Sequence, residues 1–157
     1  MLDLEKYIKA FKTLRVDSAH AKQLGRTAPH KPILLLSVID SIENGEISTN
    51  KVFITSELVG IFRANWACLV QENYRPEIAL PFYHLKNEKD RYWRLIPKSG
   101  YERLTDLKIR SFPLLVEVVE YAEIDRELFS LMSDESTRHV LRSVLLDTYF
   151  LSKSYGL

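Results

Sequence analysis

Ile33-Leu34-Leu35-Leu36-Ser37-Val38-Ile39-Asp40-Ser41-Ile42 is a strongly apolar run whose two borders dictate how it folds. Pro29 and Pro32 stand only at its start, where a helix tolerates the missing N–H, and Asn44-Gly45 stops it. The spacing predicts a helix over Ile33 to Ile42, with Thr27 as its candidate N-cap. No apolar run in the chain approaches the roughly 20 residues needed to cross a bilayer. Seven Phe, eight Tyr and two Trp supply the bulk of a compact core in a chain of 157 residues. One soluble domain over residues 1–157 is expected, and a chain of this length buries about two-thirds of its unfolded surface without help from disulfide or metal. The 46% apolar content excludes disorder. Leu2-Asp3-Leu4-Glu5-Lys6 is acidic where a signal peptide would be basic, so the chain is expected in the cytoplasm, away from membranes.

Leu4, Tyr7, Ile8, Phe11 and Leu14 predict an amphipathic helix over about 3–15. Val52-Phe53-Ile54 reads as a short strand, and Thr55 or Ser56 begins a helix through Leu58, Val59, Phe62 and Trp66. Phe82-Tyr83-His84-Leu85 and Arg91-Tyr92-Trp93-Arg94-Leu95-Ile96 flank Asn87-Glu88-Lys89-Asp90 and read as a β-hairpin. From Tyr101 the pattern is helical again. Pro113 marks one start, Ile124 to Leu131 forms the next helix, and Ser133 or Asp134 caps a last one through Val140, Leu141, Val144, Leu145 and Phe150. The expected fold is mostly α with a short β-hairpin, winged-helix-like.

Motifs for catalysis are scarce. Cys68 lies among apolar neighbours and reads as a buried small hydrophobe, and no two of His20, His30, His84 and His139 fall at zinc-helix spacing. Phosphate-cradling glycine loops, a serine nucleophile elbow and an HNH metal site are all missing. Asp90 with Asp106-Leu107-Lys108 is a loose version of a metal-binding carboxylate-and-lysine pattern, which leaves a metal-dependent nuclease as one alternative. Otherwise no catalytic residue, metal or cofactor is expected.

Net charge is only +1, but it is segregated. Residues 1–31 carry seven basic and three acidic side chains, and residues 81–113 eight against four. Residues 32–80 hold three against six, and 114–157 four against eight. If the two positive blocks meet, they make a basic face suited to phosphate backbones. Pro29-His30-Lys31-Pro32 and Leu80-Pro81-Phe82-Tyr83-His84 add semi-apolar groups with polar tips, and a Lys at a helix start, which together suit a greasy anion.

Ala28 to Leu36, then Leu80-Pro81-Phe82-Tyr83-His84-Leu85 with Trp93, then Leu145-Leu146-Asp147-Thr148-Tyr149-Phe150 resemble, in order, the sulfur-binding domain of phosphorothioate-dependent type IV restriction endonucleases. The resemblance implies binding of double-stranded DNA in which a non-bridging phosphate oxygen, of Rp configuration, is replaced by sulfur. It also implies an HNH nuclease, fused or as a partner, that does the cutting outside this chain. Its sulfur pocket falls on His30, Lys31, Leu80, Pro81, Phe82 and His84, with Lys31 holding the phosphate charge where the family has a guanidinium, and Leu80 and His84 standing in for Tyr and Ala. Arg26, Lys86, Lys89, Arg91, Arg103 and Arg110 are candidates for backbone phosphates, and a family arginine corresponds to Arg103 or Arg110. Asn73 and Arg75 are candidates for base edges, and Arg75 equally for a flanking phosphate. The remaining alternative is a winged-helix module for plain DNA or a protein.

Overall fold

The computed structural model describes residues 2–15, 29–70, 75–103, 109 and 111–151. Its helices and strands in chain order are α1 (Leu4–Lys12), α2 (His30–Glu43), β1 (Lys51–Val52), α3 (Ser56–Leu69), α4 (Ala79–His84), β2 (Trp93–Pro97), α5 (Phe112–Val118), β3 (Val119–Ile124), α6 (Arg126–Ser133) and α7 (Glu135–Leu146). A 3₁₀ turn, Leu85–Asn87, extends α4, and a π turn, Asp147–Leu151, extends α7. The described residues are mostly helical, with one small antiparallel sheet of order β1-β3-β2.

Helix α2 is the centre of the core. Every residue from Pro32 to Ile39 is buried, and α3, α4, α6 and α7 pack around it. Its two buried serines cost little, because each hydroxyl donates to the carbonyl one turn back: Ser37 to Ile33 at 2.7 Å and Ser41 to Ser37 at 2.8 Å. Gly45, at φ 86°, takes the left-handed conformation that ends the helix. Thr27 lies outside the described residues. The N-cap position belongs to Pro29, which has no side-chain oxygen to offer.

The other helices start where capping chemistry permits. Asp3, Thr55, Ser111 and Asp134 each accept a backbone N–H of the first turn, at Lys6, Leu58, Leu114 and Thr137. Leu58, Phe62 and Trp66 form the buried stripe of α3. Cys68 is exposed rather than buried, because two residues beyond Trp66 is more than half a turn round the helix.

The expected hairpin does not form. Pro81, Phe82, Tyr83 and Leu85 are all buried, a density that a strand with alternating faces cannot provide, and the segment is helical instead. The Trp93 indole donates to the Phe82 carbonyl at 2.9 Å and its ring meets Phe82 edge-on at 5.2 Å, so α4 docks against β2 without pairing to it. The partner of β2 is β3, through Trp93↔Ile124 and Leu95↔Ala122 on the core side and Arg94↔Glu123 and Ile96↔Tyr121 on the other. Pro97 pairs with Val119, which leaves Glu120 as the extra residue of a bulge. Ile124 therefore ends a strand, and the helix expected from it begins at Arg126.

The end of the chain buttresses the beginning. The Tyr149 hydroxyl donates to the Phe11 carbonyl at 2.6 Å and accepts from the Leu14 N–H at 3.1 Å, tying the π turn to the end of α1. Burial pushes the phenol up to about 12. A raised phenol pKa means that the folded chain holds a proton which the unfolded chain releases near pH 10, so this contribution to stability is intact below pH 10 and is lost as the pH rises toward about 12. Tyr149→Phe leaves two buried backbone groups unpaired and is expected to cost about 1–3 kcal/mol. Denaturant titrations at neutral pH and above pH 10 should show that loss, together with a shallower alkaline decline in the variant.

Candidate nucleic-acid interface

Two neighbouring side chains at the start of α2 point to different places. His30 is half-buried, its ring 4.8 Å from that of Trp66 on α3, and its Nε2 lies 3.3 Å from the Arg75 carbonyl oxygen. Facing a carbonyl, that nitrogen carries the proton and donates. His30 thereby ties the chain that leads into α4 to the head of α2. Lys31 turns inward. Its ammonium donates to a Glu88 carboxylate oxygen and to the Arg15 carbonyl, both at 2.6 Å, while the other Glu88 oxygen accepts the Arg15 N–H at 3.2 Å. The two side chains are only 13% and 3% exposed.

On α4, Leu80 and His84 are half-buried whereas Pro81 and Phe82 are buried. Helical geometry places Leu80 and His84 about 6 Å apart along one face, against about 13 Å had the segment been a strand. Phe82 faces the other way, into the core against Trp93. The His84 ring meets Tyr83 edge-on at 5.1 Å, and the Lys86 ammonium lies 4.7 Å above the Tyr83 ring. Helices α2 and α4 pack on each other. The structure thus brings His30 and the Arg75 main chain together, leaves Leu80 and His84 half-buried on α4, and commits Lys31, Pro81 and Phe82 to the interior.

Arg75, Lys89, Arg91 and Arg103 are exposed and have no carboxylate partner among the described residues. Arg91 holds a left-handed φ of 50° in the turn that leads into β2. Arg26, Asn73 and Arg110 lie outside the described residues, as do Asp106 and Lys108 of the nuclease-like pattern. Asp90 is exposed, and no group of three His, Cys, Asp or Glu side chains among the described residues is arranged to hold a metal ion.

The two basic blocks do meet, and among the described residues two of their cations, Lys31 and Arg94, are paired with carboxylates. Lys6 and Arg94 line one cleft of about 580 Å³ with Tyr7, Asn50, Glu123, Asp125, Arg126 and Glu127. There the Arg94 guanidinium donates to Asp125 at 2.8 Å and to Glu123 at 3.2 Å, and the Tyr7 hydroxyl donates to Asp125 at 2.7 Å. The Asp125 hydrogen bond holds Arg94 charged, and burial, with Asp125 second, drives the Tyr7 phenol far above its usual range. Sequence reading missed this network because its members come from α1, β2 and the β3–α6 junction, and Asp125 stood inside a segment read as helix.

No protein-family model and no curated protein matches this chain.

Because Glu88 is buried, removing its partner strands a carboxylate. Lys31→Met is expected to lower unfolding free energy by about 3 kcal/mol, and Lys31→Met with Glu88→Met to recover most of it. Urea denaturation of the three proteins gives the comparison.

Proposed function

We propose that this chain is a non-catalytic reader of double-stranded DNA carrying an Rp phosphorothioate, on a winged-helix-like scaffold, acting in the cytoplasm beside an HNH nuclease that is fused or recruited. Support for the scaffold comes from the order α2, β1, α3, α4, β2, β3 with sheet order β1-β3-β2, which is that of a winged helix with α5 inserted between the last two strands. In such a scaffold α4 is the second helix of the helix-turn-helix pair, the one that meets the major groove.

The observation that carries the reading is the pairing of half-buried Leu80 and His84 on one face of α4, a helix that packs on α2. This surface is semi-apolar and small. Sulfur is more polarisable than oxygen and a weaker hydrogen-bond acceptor, so it loses less on leaving water for such a wall. An ordinary phosphate oxygen placed there forfeits hydration worth about 1–3 kcal/mol, equivalent to tenfold to a hundredfold in affinity. Lys86, Lys89, Arg91 and Arg103 supply sequence-independent attraction to flanking phosphates, with the salt dependence that such contacts bring.

The test is Leu80→Ser. Half-buried Leu80 can be replaced without opening the core, and the variant is expected to lose the preference for a phosphorothioate duplex while its affinity for the plain duplex stays within about twofold. Fluorescence-polarisation titrations of both duplexes decide the matter. Equal loss on the two duplexes counts against an apolar wall at this position.

A further inference from the structure

We propose that Arg75, and not Lys31, is the cation that holds the modified phosphate; the inference rests on the DNA-reading proposal and names the charged residue of that same site. An apolar wall distinguishes sulfur from oxygen, but it cannot balance the negative charge that the linkage keeps. A cation must stand beside it. Lys31 is adjacent in sequence to His30, yet its ammonium is held between the Glu88 carboxylate and the Arg15 carbonyl. Turning it toward DNA would strand a carboxylate that is 3% exposed. Lys31 is a positioning residue, one that fixes the turn after α4 against the head of α2.

Arg75 meets the requirements that Lys31 does not. Its backbone carbonyl is held by the His30 ring at 3.3 Å, and that ring is itself packed on Trp66, so the Arg75 main chain is anchored at the α2–α4 junction. Its side chain is exposed, and among the described residues its guanidinium has no hydrogen-bond or ion-pair partner. The chemistry fits as well. A planar guanidinium is weakly hydrated and offers parallel N–H donors, which bind the remaining non-bridging oxygen while the sulfur turns to half-buried Leu80. Lysine, a compact and strongly hydrated point charge, suits a soft anion less.

The experiment compares wild type, Arg75→Gln, Arg75→Lys and the double variant Lys31→Met/Glu88→Met on phosphorothioate and plain duplexes of one sequence, across a salt series. Arg75→Gln is expected to weaken binding about tenfold and to reduce the slope of log affinity against log salt by about one, and Arg75→Lys to restore the slope but only part of the affinity. The double variant should keep the wild-type slope. Arg75→Gln binding within about twofold of wild type with an unchanged slope overturns the assignment, as does a double variant that loses the unit of slope. Should the double variant fail to fold, the two Arg75 variants decide alone. A wild type that binds both duplexes equally refutes sulfur reading but leaves the Arg75 contact readable on the plain duplex, and a wild type that binds neither overturns both.

Discussion

One buried ion pair organises the junction between the head of α2 and the turn that follows α4. Lys31 and Glu88 meet at 2.6 Å, and the backbone of Arg15 satisfies both of them, so three stretches of chain are joined at a single point. Those stretches are the exit from α1, the head of α2 and the turn that follows α4. Burying two charges is expensive, and the geometry repays it only because the second carboxylate oxygen also receives a backbone N–H. The pair fixes the position of α4 relative to α2 and frees the neighbouring His30 to grip the chain on the other side, at Arg75. Hydrophobic packing around α2 stabilises the fold as a whole. The ion pair decides where two short semi-apolar segments end up within it.

The same economy explains the electrostatics. A chain with net charge +1 presents no large positive field, and the cations that the blocks of sequence gather are partly consumed by carboxylates. Arg94 is paired with Asp125 and Glu123 while staying partly exposed, and Lys31 is buried against Glu88, which removes Lys31 from any encounter with phosphate. Among the described residues, Lys6, Lys9, Lys12 and Arg15 on and just after α1, and Lys89, Arg91 and Arg103 beyond α4, stay exposed without a carboxylate partner.

The helices were largely legible in the sequence. The periodic stripes of α1 and α3, the stop at Asn44-Gly45 and the caps at Thr55 and Asp134 are local signals, and each appears where local chemistry puts it. The sheet was not legible, because pairing is a long-range choice. Trp93–Pro97 is strand-like by itself, but its partner Val119–Ile124 lies beyond an intervening helix, and nothing near Phe82 signals that a buried aromatic cluster there is helical. Of the candidate site, the segments about His30 and Leu80 were visible in the residues, whereas the inward turn of Lys31 was not. That turn depends on Glu88, which read as an ordinary turn residue between two strands and is instead 4% exposed.

We propose that the small semi-apolar face of α4 formed by Leu80 and His84 makes sulfur in a DNA backbone worth binding. The most direct measurement is the affinity of the chain for three duplexes of one sequence at physiological salt, carrying a single Rp phosphorothioate, a single Sp phosphorothioate, or none. Binding at least about tenfold tighter to the Rp duplex than to the other two is the predicted result. Equal affinity for all three would contradict it.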